Sequence, residues 1–416
     1  MAGFPGLIPQ QKVDDKAMKK TLSYTHTIYA SYIGYVTQAI VNNYAPLLFL
    51  TFASEFSLTL DKITLLITVN FGVQLMVDLL SAKLADWIGY RVSIMAAHLF
   101  AAFGLVGLAI FPDLMENRYA GLLISVILYA IGGGIIEVLI SPIVEACPTT
   151  EKSGEMSLLH SFYCWGQTAV VLFSTLFFHF CGVTNWRIVA FLWATIPAAN
   201  LFYFALVPIY PITSEEKSMG IRELVKERTF WTMFFLMVCA GASELAMSQW
   251  ASAFAEKALH VGKTVGDLLG PCAFAVLMGV SRAYYGRNST KLKILKVMLC
   301  SGILCILCYT IAAFARVPSL GLLGCAVCGL SVGIFWPGTF SIASAKIPTG
   351  GTVMFALLAL AGDLGCSFGP TVVGFCANTF GENMQTALMA AGIFPILISI
   401  GIARLIKKEG DDANAS

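Results

Sequence analysis

The chain has 416 residues, of which 57% are hydrophobic and only 12% are charged. Soluble domains carry roughly 25% charged residues, so this composition excludes an ordinary soluble protein and indicates an all-α membrane protein with many spans. The formal net charge of +2 gives no electrostatic basis for binding nucleic acid.

Apolar segments long enough to cross a bilayer recur twelve times, since a spanning helix needs about 20 apolar residues. In chain order, helices 1 to 12 are predicted at 22–52, 63–85, 92–112, 119–146, 156–181, 188–210, 230–255, 265–285, 297–315, 320–345, 352–378 and 385–405. The one long polar insert lies between the sixth and seventh. We therefore predict an N-terminal tail at 1–20, a six-helix bundle at 21–210, a linker with a short surface helix at 211–229, a second bundle at 230–405 and a C-terminal tail at 406–416.

Lysine and arginine are divided unequally among the loops. If the N-terminus is cytoplasmic, all but six of the 26 Lys and Arg residues face the cytoplasm. The six on the outside are Lys62, Arg118, Arg187, Lys257, Lys263 and Arg316. Cytoplasmic loops of membrane proteins carry an excess of these residues, so we expect a multi-pass protein of the plasma membrane with both termini in the cytoplasm.

Two stretches of the chain, Gly121–Pro148 and Gly321–Pro348, are similar to each other. The positions that recur unchanged 200 residues later are Gly121, Leu122, Leu123, Gly133, Ser141, Pro148 and Thr149. This repeat predicts two pseudo-symmetric bundles in parallel orientation. Transporters of this design hold the solute near the bilayer midplane between two halves that rock against each other.

The loop after helix 2 reads AKLADWIGYR at 82–91. It resembles the signature G-x-L-a-D-r-x-G-r-k of the major facilitator superfamily, with Leu84, Ala85, Asp86, Gly89 and Arg91 matching and Ala82, Trp87 and Tyr90 differing. The loop after helix 8 has Gly286 and Arg287 at nearly the same spacing. The resemblance implies the twelve-helix fold of that superfamily. Because a tight turn and charged contacts at a helix end can hold one conformation closed, we expect Asp86, Gly89, Arg91, Gly286 and Arg287 to act in gating.

Helix 4 has a closer resemblance. Its segment IEVLISP at 136–142 is similar to the L-E-x-x-x-N-P pattern of the fucose–proton symporter group, and LLHSF at 158–162 is similar to that group's helix 5 motif. Asn42 and Asn43 on helix 1 are also like the group, but the acid that follows them there has no counterpart here. The resemblance implies proton-coupled sugar uptake, and the missing acid separates this chain from the group's two-carboxylate arrangement.

Four acidic residues are predicted well inside helices: Asp78, Glu137, Glu244 and Asp363. No Lys or Arg is predicted deep enough to pair with them, unless a long side chain reaches in from a loop. An unpaired carboxylate in a low-dielectric site can hold a proton near neutral pH, so we interpret these four as candidates for proton coupling, with Glu137 first. The alternatives are a permanently protonated Glu137, a gating role for Asp78 and a structural hydrogen bond for Asp363, whose flanking glycines indicate close helix packing.

Polar and aromatic residues on helices 1, 2, 5, 7 and 10 are candidates for binding the solute, because many recur at spacings that share a helix face. The candidates are Tyr35, Gln38, Asn42, Asn43, Asn70, Gln74, His160, Tyr163, Gln167, Gln249, Trp250 and Trp336. A packing role is the favoured interpretation of His160. Pro337 follows Trp336 and predicts a kink in helix 10. An indole ring beside side-chain amides could bind a sugar, by stacking and by hydrogen bonds to hydroxyls, and could equally bind an aromatic drug.

These features predict a transporter and not an enzyme, with a solute and a proton as its partners besides the lipid bilayer. Proton-coupled symport of a small neutral, monosaccharide-like solute is the favoured function, with sodium not excluded as the coupling ion. A proton-coupled antiporter exporting lipophilic compounds is the first alternative, and a membrane sensor on the same fold is a remote one. The chain contains no phosphate-binding G-x-x-x-x-G-K-[ST] loop. We expect no cofactor and no metal, and a monomer.

Overall fold

The computed structural model describes residues 22–149, 152–210, 219–288 and 293–415. Within these ranges it leaves the side chains of 79, 81–87, 152–157, 286–288, 351–352 and 410–415 undescribed. The twelve predicted helices are present in the predicted order. Eleven of them are long and apolar enough to cross a membrane by length and composition, and helix 1 is the remaining one.

Six helices form each bundle. In the N-terminal bundle the bounds are Tyr24–Asn43, Ala45–Leu48 and Phe49–Glu55 for helix 1, then Leu60–Ile88, Tyr90–Leu114, Arg118–Glu145, Lys152–Cys181 and Trp186–Leu206 for helices 2 to 6. In the C-terminal bundle helix 7 is Arg228–Ser248 with Ala251–Lys257, and helix 8 is Lys263–Asp267, Leu268–Cys272 and Ala273–Asn288. Helices 9 to 12 are Ile294–Phe314, Pro318–Val332 with Phe335–Lys346, Gly351–Thr379, and Met384–Ala391 with Ile393–Ala415.

Successive helices run in opposite directions, so an even number of crossings brings both chain ends to one side. We call the side where helix 1 begins the terminal face and the opposite side the distal face. The predicted short linker helix is confirmed at Ile221–Leu224, and the Met219 N–H donates to the Thr349 carbonyl at 3.0 Å. The linker thus contacts the second bundle at the terminal face.

Helices 1, 7 and 10 are each interrupted within their span. Helix 1 passes into a 3₁₀ turn at Ala45–Leu48, which contains Pro46. Helix 7 is broken at Gln249 and Trp250, and helix 10 at Gly333 and Ile334. The kink predicted at Pro337 therefore lies slightly earlier, since a proline is tolerated in the first turn of the segment that follows a break.

Helices 7 and 11 pack with their backbones nearly touching, which confirms the close packing predicted from the glycines around Asp363. A Cβ atom placed on Gly241 would lie 2.1 Å from the Gly362 carbonyl oxygen. One placed on Gly365 would lie 2.0 Å from the Val238 carbonyl oxygen. Small residues at such a crossing are what allow membrane helices to approach closely.

This packing predicts that Gly365→Val destabilises the protein. The new side chain meets backbone that has no room to move, and overpacking of this kind costs about 1–3 kcal/mol or more. We expect a lower midpoint of thermal unfolding in detergent and a reduced yield of folded protein. Gly72→Ala on helix 2 is the control, because a Cβ atom added there would meet nothing within 4 Å. Equal stability of the two variants would contradict the close packing.

Candidate solute and proton site

Three of the four predicted buried acids meet where the two bundles join. Asp78 on helix 2 and Glu137 on helix 4 belong to the N-terminal bundle, and the Asp363 side chain on helix 11 lies within hydrogen-bonding reach of both. We call these three residues the acid cluster. It confirms none of the roles considered from sequence, but it brings together residues that are 59 and 226 positions apart in the chain.

The acid cluster requires protons. An ionised carboxylate only accepts hydrogen bonds, so two carboxyl groups bond to each other only with a proton between them. Both carboxyl oxygens of Asp78 are buried and meet no N–H or hydroxyl donor from the described residues. Since like charges this close cannot all be ionised in a low-dielectric site, the arrangement is stable when at least one proton joins the two bundles.

A chain of amide side chains leads to the acid cluster from the distal side. The Gln38 Nε2 group donates to Glu137 Oε2 at 2.8 Å and to Gln74 Oε1 at 2.9 Å. Gln74 in turn donates to Asn42 Oδ1 at 2.8 Å and to Asn70 Oδ1 at 3.1 Å. The polar faces predicted on helices 1 and 2 therefore face each other, and they fix the position of the Glu137 carboxylate.

The fourth acid, Glu244, has a basic partner. Arg282 Nη2 lies 3.2 Å from Glu244 Oε2, so a basic residue does reach one of the buried acids, from within helix 8 and not from a loop. The physical reason is that helix 8 continues to Asn288, which places Arg282 a turn and a half inside the helix rather than at its loop. The sequence already indicated this depth. Arg282 lies five positions before Arg287, the next basic residue, and therefore more than one helical turn further from the loop.

Aromatic side chains flank the acid cluster, with Tyr35 and His160 toward the terminal face and Tyr163 beside the amides on the distal side. Tyr35 forms a 3.2 Å hydrogen bond with Ser141 Oγ, and its ring lies 5.2 Å from that of His160. The Tyr163 hydroxyl accepts from Asn43 at 3.5 Å. His160, which packs on Tyr35 within the N-terminal bundle, is itself exposed.

Trp336 approaches the acid cluster from helix 10. Its ring covers Gly362, where an added Cβ would lie 2.3 Å from the indole, and Gly362 directly precedes Asp363. The Trp336 Nε1–H is buried and meets no acceptor among the described residues.

The other predicted solute residues lie nearer the distal face. Gln167 donates to Ser248 Oγ at 3.3 Å and Gln249 donates to the Asn42 carbonyl at 2.9 Å, each crossing between the bundles. Trp250 is 1% exposed, and its Nε1–H donates to the Pro370 carbonyl. The structure thus places these three residues in a closed layer rather than beside the acid cluster.

Helices 2 and 11 form a continuous seam in this closed layer. Gly374 packs directly on Thr64, and Thr68 and Thr371 share a hydrogen bond of 2.7 Å between their hydroxyls. The same two helix faces carry Asp78 and Asp363 further toward the terminal face. The acid cluster is therefore the innermost contact of this seam.

An ion cluster that the sequence analysis missed closes the distal face. Lys263 Nζ donates to the Leu47 carbonyl at 2.5 Å and lies 3.1 Å from Asp267 Oδ2 and 3.2 Å from Glu256 Oε1. Asp267 is fully buried and also accepts from Thr175 Oγ1 at 3.3 Å. We call Lys263, Glu256 and Asp267 the distal lock, because Leu47 and Thr175 belong to the opposite bundle.

The structure describes some of the predicted gating residues and not others. Gly89 has φ of 91°, which confirms the tight turn predicted there. Arg91 Nη1 donates to the Phe204 and Ala205 carbonyls at 2.7 and 2.9 Å, and so joins helix 3 to helix 6 within one bundle. The side chains of Asp86, Gly286 and Arg287 lie outside the described residues. A gating role for these five residues stays a prediction.

Two helical bundles that meet around a polar centre and are joined by a closed layer toward the distal face are typical of a membrane transporter rather than an enzyme. The family model described as Major Facilitator Superfamily matches residues 31–370. The chain belongs to the major facilitator superfamily. No curated protein matches the sequence significantly.

Solved transporter structures share the fold. The fucose:proton symporter FucP of E. coli is 15% identical with a TM-score of 0.65, and the alignment covers 92% of this chain and 99% of that one. A D-xylose–proton symporter is 12% identical with a TM-score of 0.73, covering 91% and 96%. The nucleoside transporter NupG is 12% identical with a TM-score of 0.72, covering 92% and 99%. At these identities the likeness extends to the fold alone.

The distal lock predicts that Lys263→Ala loosens the distal face. Loss of the ammonium leaves the Leu47 carbonyl and the buried Asp267 carboxylate without their cationic partner, so the closed state is destabilised relative to the open one. In a Ser248→Cys reporter, whose side chain lies in the closed layer, we expect several-fold faster labelling by a membrane-impermeant thiol reagent from the distal side.

Two controls define this experiment. Cys181 and Cys300, which are exposed, are replaced by serine in every variant so that the reporter dominates the signal. Lys62→Ala removes another distal cation, which lies over the Tyr119 ring at 5.4 Å and is outside the lock, and it is expected to leave the labelling rate unchanged. An unchanged labelling rate in Lys263→Ala would show that the distal lock does not hold the distal face closed.

Proposed function

We propose that the protein is a proton-coupled symporter of a small polar solute of monosaccharide size, working by alternating access of its two bundles. The observation that carries the proposal is the contact of Asp363, from one bundle, with Asp78 and Glu137 from the other. Because that contact needs a proton, proton binding and the joining of the bundles are one event.

The coupling follows from electrostatics. When the acid cluster releases its proton to the terminal face, carboxylates on opposite bundles are left close together in a site of low dielectric constant, and they repel each other. This repulsion favours opening of the seam between helices 2 and 11, and so exposes the centre to the distal face. Protonation from the distal side neutralises the cluster and allows the bundles to close again around a bound solute.

Unfilled hydrogen-bonding groups next to the acid cluster support a polar, hydroxyl-bearing solute. Gln38 Oε1 is buried without a donor, and Trp336 Nε1 is buried without a partner among the described residues. Buried polar groups are normally hydrogen-bonded, and a hydroxyl can both donate and accept. A lipophilic export substrate would leave these groups unsatisfied, so they favour a polar solute over the efflux alternative.

The remaining parts of the proposal come from the sequence. The excess of Lys and Arg on the terminal side supports a cytoplasmic location for that face and for both termini, and we propose the plasma membrane as the site of action. The open state is then an inward-facing one, the direction of flux is uptake, and the working unit is the monomer. Sodium is the alternative coupling ion, and the experiment below includes it.

The proposal predicts that Asp363→Asn uncouples transport. An asparagine amide can donate to Asp78 or Glu137 without a proton, so the bundles still close while proton binding is lost. In proteoliposomes screened with labelled monosaccharides, we expect at least a tenfold loss of accumulation driven by an inward proton gradient, with solute exchange at equal pH largely retained.

Glu137→Gln is expected to behave in the same way, and Glu116→Gln, an exposed residue between helices 3 and 4, is the control that keeps coupling. Accumulation that persists in both Asp363→Asn and Glu137→Gln would refute proton coupling at the acid cluster. Solute accumulation that follows an imposed sodium gradient at constant pH would show that the coupling ion is sodium and not the proton.

A further inference from the structure

Arg282 has hydrogen-bonding capacity that the chain does not use. A guanidinium group has five N–H donors and no acceptor. The Nη2 group faces Glu244, and the Nη1 group donates to the Cys164 thiol at 3.3 Å. The Nε–H is buried and has no partner among the described residues. Because sulfur is a weak acceptor, only one part of this buried cation is well satisfied.

The Glu244 contact is itself loose. The Nη2 atom lies 3.2 Å from one carboxylate oxygen and 3.5 Å from the other, whereas charge-assisted hydrogen bonds of this type are usually about 2.7–2.9 Å long. Glu244 therefore balances the charge of Arg282 but leaves its Nε–H and Nη1 donors available to another acceptor. A second anionic oxygen could be accommodated at Nε and Nη1 without removing Glu244.

Arg282 also lies where a solute passes. It projects from helix 8 in one bundle to Cys164 on helix 5 in the other. Its electrostatic neighbours are Tyr35, His160 and Tyr163, the aromatic residues that flank the acid cluster. Its side chain retains 19% exposure, and His160 beside it is exposed. The partly exposed side chain of Arg282 thus lies at the junction of the two bundles, and its unused Nε–H is buried there.

We propose that Arg282 binds a carboxylate of the transported solute, so that the solute is a small organic acid such as a sugar acid rather than a neutral sugar. The carboxylate accepts from Nε and displaces the thiol from Nη1, while hydroxyl groups of the solute reach the polar groups beside the acid cluster. This inference rests on the proposed symport and changes only the charge of its solute. Arg282 then determines specificity, and the acid cluster supplies the accompanying proton.

The charge balance gives this inference a measurable consequence. A neutral solute carried with one proton moves one positive charge across the membrane. A monocarboxylate carried with one proton moves no net charge, because the two charges cancel. A membrane potential therefore drives the first process and leaves the second unaffected.

The first test compares solutes that differ only in the carboxylate. Galactose and galacturonate are titrated against the full-length protein in detergent, with gluconate and lactate as further probes, and binding is followed by the shift in thermal unfolding. We expect galacturonate to bind at least about tenfold more tightly than galactose. Tighter binding of galactose, or binding of none of the three carboxylates, would overturn the inference.

The second test separates recognition from folding. Arg282→Gln leaves Glu244 without its partner, so Glu244→Gln/Arg282→Gln removes both charges and keeps the site neutral. We expect this double variant to fold, to lose about tenfold or more in affinity for galacturonate and to bind galactose as the wild type does. Arg282→Lys keeps the positive charge but loses the paired N–H donors of the guanidinium group. We expect its affinity for galacturonate to lie between those of the wild type and the double variant. Wild-type affinity for galacturonate in the double variant would show that Arg282 has only a structural role.

The third test uses the charge balance in proteoliposomes. Uptake of galacturonate under a fixed proton gradient is measured with and without a potassium diffusion potential set by valinomycin. We expect equal rates, and a rate that rises with an inside-negative potential would overturn the inference. Failure of the proposed symport is a different result, since it appears as uptake that ignores the proton gradient for every solute.

Discussion

The contact between carboxyl groups of opposite bundles is the constraint on which the rest of the structure depends. Asp363 meets Asp78 and Glu137 where helices 2, 4 and 11 converge, and carboxyl groups bond to one another only through a proton. Ionisation of the cluster opposes the same packing that protonation permits. In the proposed coupling, protonation of the acid cluster is what permits the closed seam between helices 2 and 11.

Three layers follow one another from the distal to the terminal face. The distal lock joins the bundles through Lys263, the acid cluster joins them at the centre, and the aromatic residues and Arg282 flank the acid cluster. Helix 11 is held rigidly to helix 7 by the contacts of Gly362 and Gly365. Asp363 and Glu244 therefore lie on two helices whose backbones pack closely together.

Much of the fold could be predicted from sequence, because each spanning helix is marked by its own apolar length and the two halves by their repeat. The facing polar stripes of helices 1 and 2 could be predicted for the same reason: spacing along one helix shows which residues share a face. Partnerships between helices could not. Asp78 and Asp363 carry no sequence signal of each other, and neither do Arg282 and Glu244, which lie on different helices.

The break in helix 1 has a consequence for how the protein tolerates variation. The acceptor that Lys263 grips across the interface is the main-chain carbonyl of Leu47, set free by the 3₁₀ turn around Pro46. Every amino acid carries that oxygen, so replacing the side chain at position 47 leaves the acceptor in place. The acceptor in the N-terminal bundle is thus a main-chain atom. The donor in the C-terminal bundle is the Lys263 side chain, which a point substitution can remove.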